Sequence, residues 1–73
     1  MSTATVNDVT FEAGEMIVRL SNGSVARAHV ERFPRLQAAT PEQRGNWQPC
    51  GAGTGIHWPD IDEDVSVESL LRA

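Results

Sequence analysis

Residues 16–30 read MIVRLSNGSVARAHV, and this stretch decides the class of fold. Asn22-Gly23 separates two runs in which apolar and polar side chains alternate, the strongest short-range signal for a β-hairpin. Both residues tolerate positive φ, so a type I′ turn is predicted between them. Residues 16–20 make the outgoing strand. Residues 25–30 make the return, with Ala26, Ala28 and Val30 on one face and Val25, Arg27 and His29 on the other. The apolar face is built of small side chains and leaves room for a helix to pack closely. Upstream, Val9-Thr10-Phe11 reads as a strand and Glu12-Ala13-Gly14-Glu15 as a turn. A three-stranded antiparallel meander is therefore predicted.

A meander with one apolar face needs a cover. Residues 31–38 suit a helical turn interrupted by Pro34, with Phe33 and Leu36 pointing the same way three residues apart. Thr40-Pro41-Glu42-Gln43 then places threonine at the N-cap, proline at the first helical position and glutamine at the third. That is a reciprocal capping box, and it starts a short helix that Gly45 ends. Residues 47–50 and 56–58 flank Gly51-Ala52-Gly53-Thr54-Gly55 and read as a second hairpin. Alternation puts Ile56 and Trp58 on one of its faces and His57 on the other. Trp58 is expected to be the more buried tryptophan, with Trp47 nearer the surface. Ser66 can cap a last helical turn that buries Val67, Leu70 and Leu71.

The predicted fold class is α+β: a small antiparallel sheet, made of the N-terminal three-stranded meander plus the C-terminal hairpin, covered by short helices. The sequence contains no internal repeat, low-complexity segment or linker. Residues 9–73 are expected to form a single domain, preceded by a flexible polar tail at residues 1–8 that could order on binding.

A chain of 73 residues buries only about 60% of the surface its unfolded form exposes. Such a core seldom supplies more than about 3–5 kcal/mol. The single cysteine, Cys50, excludes an intrachain disulfide. Self-association, as a homodimer, or a bound partner is the natural supplement. No basic segment precedes an apolar run, and no apolar run is long, so neither a signal peptide nor a membrane span is expected and the protein reads as cytoplasmic.

The formal net charge is −4 and every cation is an arginine. Arg27, Arg32, Arg35 and Arg44 outnumber Glu31 and Glu42 in the middle of the chain, whereas Asp60, Asp62, Glu63, Asp64 and Glu68 face only Arg72 toward its end. Net acidity argues against direct nucleic-acid binding, which depends on neutralising phosphates. An arginine-bearing partner protein is easier to accommodate. The plain alternative is a solvated acidic loop that keeps the chain soluble.

Three motifs invite sharper chemistry. Clustered glycines can cradle a phosphate, but a Walker loop needs a lysine and a dinucleotide fingerprint must lead into a helix, whereas this loop leads to Ile56-His57-Trp58-Pro59. Asp60, Asp62 and Asp64 alternate as the start of a calcium loop does. Val65 then stands where glycine must turn the chain, and Leu71 where a bidentate glutamate is required. Cys50 and His57 could face each other across the second hairpin, yet no spacing specific to a cysteine hydrolase is present. No catalytic, cofactor or metal site is predicted. His57 and His29 read as structural, and Cys50 as a small buried apolar residue.

The run GAGTGIHWPDIDEDVSVESLL at residues 51–71 resembles the C-terminal signature of the bacterial "domain of unknown function 2442" family. Asn22-Gly23, Phe33-Pro34-Arg35-Leu36 and Ala39-Thr40-Pro41-Glu42-Gln43-Arg44 followed by Trp47 agree with it. The resemblance implies a small α+β domain and no enzymatic activity. It also implies a habit of being encoded beside a second small family, domain of unknown function 4160, in arrangements like toxin–antitoxin pairs. Some members carry a helix-turn-helix segment; nothing after Leu71 could supply one here, so autonomous operator binding is not expected. The expected function is thus a non-enzymatic interaction module, antitoxin-like or inhibitor-like, that binds a partner protein through Trp47, His57, Asp60, Asp62, Glu63 and Asp64. The alternative is a homo-oligomeric structural or regulatory module whose partner is itself.

Overall fold

Period-two alternation builds the first half of the molecule. In the computed structural model, which describes residues 4–71, strands β1 (Val6–Glu12), β2 (Glu15–Leu20) and β3 (Val25–His29) form an antiparallel sheet in the order β1-β2-β3. Val9 pairs with Val18 and Val18 with Ala26; Phe11 pairs with Met16 and Met16 with Ala28. One face therefore gathers apolar side chains into the core. β1 begins earlier than its sequence suggests: residues 6–8 of the expected tail are strand, with a bulge between Val6 and Asp8. Residues 1–3 of that tail lie outside the described residues.

The type I′ geometry expected at Asn22-Gly23 is found instead at the first turn. Between Glu12 and Glu15 only two residues remain, and Ala13 and Gly14 take φ of 50° and 78°, the type I′ pattern. At Asn22-Gly23 only Gly23 has positive φ, at 87°. Leu20 N donates to Ser24 O and Gly23 N to Leu20 O, so the loop holds three residues. The Asn22 side-chain oxygen accepts from Ser24 N at 2.9 Å and Ser24 Oγ at 2.6 Å. Those bonds favour a turn with a single glycine in the left-handed position over the two-residue form.

Val30–Arg32 makes one 3₁₀ turn before α1 (Pro34–Ala38) and α2 (Pro41–Gly45). Pro34 does not interrupt α1; it starts it at the first helical position, where a missing N–H costs nothing. Leu36 is fully buried and Phe33 half-buried against the core. The capping box of α2 forms as predicted, with Gln43 N donating to Thr40 Oγ1 at 3.2 Å and Thr40 N to Gln43 Oε1 at 3.0 Å.

The second sheet is larger than the predicted hairpin. β4 (Gln48–Cys50) and β5 (Gly55–Trp58) pair as expected, and β6 (Glu63–Ser66) adds a third antiparallel strand in the order β4-β5-β6. The acidic run is thus half turn and half strand. Val65 and Val67, separated by one polar residue, are buried, and that alternation is what pulls the chain back onto β5. α3 (Val67–Leu71) follows with Ser66 Oγ accepting from Ser69 N. It buries Val67 and Leu70, but Leu71, expected inside, is 60% exposed.

Both sheets contribute to one apolar cluster in which Met16, Val18, Leu36, Ile56 and Trp58 are fully buried. Trp58 is its largest member, and Trp47 is half-buried at its margin, as the sequence suggests. The Phe11 ring meets the Trp58 indole edge-on at 6.5 Å, and the Arg44 guanidinium lies 5.2 Å from the Phe11 centroid. Trp58 Nε1 donates to Arg44 O at 3.0 Å, which satisfies the buried indole.

Candidate functional site

The acidic corner is the turn between β5 and β6. Ile61 packs half-buried against the core and its N–H donates to Trp58 O, turning the chain, while Asp62 takes a left-handed φ of 51°. Aspartate accepts that conformation more readily than most residues. Neighbouring elements then hold the corner. Asn46 Nδ2 donates to Asp60 Oδ2 at 2.9 Å, and Arg35 Nη1 donates to the Asp62 carbonyl at 2.6 Å. Glu63 Oε1 accepts from Asp64 N at 3.0 Å.

His57 faces Asp64 across the β5–β6 pair, and its Nδ1 lies 2.6 Å from Asp64 Oδ1. Asp60, Asp62 and Asp64 are exposed and Glu63 half-buried. Among the described residues the Asp62 carboxylate has no hydrogen bond or ion pair. Five of the six residues expected to bind a partner, His57, Asp60, Asp62, Glu63 and Asp64, therefore meet at one corner. Trp47 stands apart: it follows Asn46, which holds Asp60, and its ring packs on the core. Two residues that shape the corner, Arg35 and Asn46, were not among the expected ones. Arg35 had a signal, since it belongs to the Phe33-Pro34-Arg35-Leu36 motif; Asn46 had none.

The sulfur and imidazole do not oppose each other. Register places Cys50 opposite Gly55 and His57 opposite Gln48, and no hydrogen bond joins Cys50 to His57 among the described residues. Cys50 is half-buried rather than inside the core. Among the described residues no three of His, Cys, Asp and Glu are grouped as metal ligands.

The glycine loop works as a packing device. A Cβ on Gly55 would stand 2.9 Å from Cys50 Sγ, and one on Gly53 would stand 2.9 Å from Thr5 Cβ. Missing side chains at these positions let the thiol lie over β5 and Thr5, just before β1, lie over the loop. Thr54 ties the loop to α3, its carbonyl accepting from Val67 N at 2.9 Å. The same glycines that suggest an anion cradle are filled by the protein itself.

Two solved structures share this architecture. A protein of unknown function from Rhodospirillum rubrum superimposes with a TM-score of 0.80 at 23% identity, covering 97% of this chain and 88% of that one. An uncharacterized protein from Chromobacterium violaceum gives a TM-score of 0.77 at 26% identity, covering 93% of this chain and 64% of its own length. No curated protein matches the chain. Among the described residues no helix is long and apolar enough to cross a membrane. Residues 6–73 match the model of the family described as "Protein of unknown function (DUF2442)", and the chain belongs to that family.

Proposed function

We propose that the protein is a non-enzymatic interaction module that presents its acidic corner to a basic segment of a partner protein, as an inhibitor or antitoxin does. The observation that carries this reading is the construction of the corner. Two carboxylates of a turn pinned by Arg35 and Asn46, Asp60 and Asp62, gather with Glu63 and Asp64 at the start of β6, and the Asp62 carboxylate has no partner of its own among the described residues. A pinned corner loses little conformational freedom on binding, which favours affinity. Its charge favours an arginine- or lysine-rich surface and speeds encounter with it.

The test is co-purification of the tagged chain from its own bacterium, with the mass of the complex measured. A stoichiometric basic protein is expected. The variant Asp62→Asn, Glu63→Gln, Asp64→Asn keeps the shapes, and asparagine tolerates the left-handed φ at position 62. It is expected to weaken the complex by about 10- to 100-fold, or about 1.4–2.8 kcal/mol, with an unchanged circular dichroism spectrum. Unaltered affinity removes the corner from the interface.

Self-association is a second reading, and one observation favours it. β1 carries a bulge, β4 contains Pro49, and β6 carries Glu63 and Asp64, each a device that discourages edge pairing. β3 has no bulge and no proline, and it leaves Val25 46% exposed. On this reading sedimentation of the purified chain gives a dimer mass, and Val25→Lys converts it to a monomer.

A further inference from the structure

We propose that residues 39–46, centred on α2, form a strap that opens as a unit while both sheets stay folded, and that Arg44 is its latch. α2 buries no side chain, so burial of apolar surface, the usual tether of a helix, holds it only weakly. Its capping box is internal to the segment and does not attach it to anything. The attachments are polar and converge on one residue. Arg44 Nε donates to Leu36 O at 2.9 Å and Nη2 to Gln37 O at 3.1 Å, while the guanidinium covers Phe11 and the Arg44 carbonyl accepts from the Trp58 indole. The remaining tethers are the exposed bond from Asn46 to Asp60 and, at the hinge end, Ala39 N donating to Leu36 O at 3.2 Å.

The segment lies between two anchors, fully buried Leu36 and half-buried Trp47. Behind it runs a groove of about 440 Å³ lined by Val9, Thr10, Phe11, Pro41, Arg44 and Gly45. The groove leaves α2 in contact with β1 chiefly through Arg44 over the Phe11 ring, so lifting α2 gives up little packed apolar surface on that side. Opening uncovers the Phe11 face and frees the Trp58 indole N–H to exchange with water. Regions with few buried contacts open at free energies well below the global value.

Hydrogen exchange of the intact chain, followed by NMR over a series of low denaturant concentrations, tests this. The Trp58 indole N–H and the Arg44 Nε–H, whose bonds join the strap to the rest of the fold, are expected to exchange together, at least about ten times faster than the Val18 amide, with little denaturant dependence. Val18 sits in the central strand and reports opening of the whole sheet. Arg44→Met keeps an unbranched chain of similar reach and removes the guanidinium. It is expected to speed exchange of the Trp58 indole N–H about ten-fold or more beyond any change at Val18. The same rate and denaturant slope for the Trp58 indole and the Val18 amide in the unmodified chain would overturn the proposal. So would an equal acceleration of all probes by Arg44→Met.

Discussion

Trp58→Ala leaves the chain unfolded at 25 °C, with the β-sheet circular dichroism signal and NMR dispersion both lost. The indole is 0% exposed and is the largest fully buried side chain among the described residues. Truncating such a residue costs about 3–5 kcal/mol, the same size as the whole stability of a core this small, about 3–5 kcal/mol. Further losses add to it: Phe11 loses its edge-on partner, and the Arg44 carbonyl loses its donor. Trp58→Phe separates the contributions. It retains an aromatic ring against Phe11 and removes the N–H, so it is expected to stay folded and lose about 1–3 kcal/mol in a urea titration. A cooperative transition for Trp58→Ala within about 1 kcal/mol of the parent would mean that the second sheet adds little to the core.

What the sequence made legible divides along a physical line. Elements whose cause is local were readable: the capping box of α2 needs only Thr40, Pro41 and Gln43, and the inward placement of Ile56 and Trp58 needs only alternation in β5. Elements whose cause is a distant partner were not. β6 exists because Val65 is buried opposite Ile56 of β5, and the acidic residues before it disguise a strand as a solvated loop. Leu71 is exposed because α3 ends its buried side at Leu70, a matter of where the helix sits rather than of its periodicity. The type I′ turn expected at Asn22-Gly23 does not form because a three-residue loop, closed by the Asn22 side chain on Ser24, outranks the preference of an Asn-Gly pair. At the acidic corner the carboxylates were visible in the chain, but the restraints on them were not. Arg35 and Asn46 reach Asp62 and Asp60 from 27 and 14 residues away; the Phe33-Pro34-Arg35-Leu36 motif singles out Arg35 without indicating its partner, and nothing singles out Asn46.

Gly53→Ala is expected to cost about 2–5 kcal/mol, from two separable sources. The residue sits at φ of 89°, where a Cβ costs about 1–2 kcal/mol by crowding the backbone. The new methyl also stands 2.9 Å from Thr5 Cβ and 3.0 Å from Thr5 Cγ2, an overpacking that costs about 1–3 kcal/mol. Thr5 cannot simply step aside. Its N–H donates to Ser21 Oγ at 3.0 Å and its carbonyl accepts from Ser21 N at 2.8 Å, so moving it loosens the entry to β1 and the β2–β3 loop together. The two sources part company in a double-variant cycle read by urea denaturation. Thr5→Gly removes both overlapping atoms and leaves φ at position 53 unchanged, so combined with Gly53→Ala it should recover about 1–3 kcal/mol and leave the backbone strain in place. Strict additivity of the two substitutions would show that β1 yields freely. The glycine would then serve the turn alone, and the close approach of β1 to the loop would contribute nothing to holding the two sheets together.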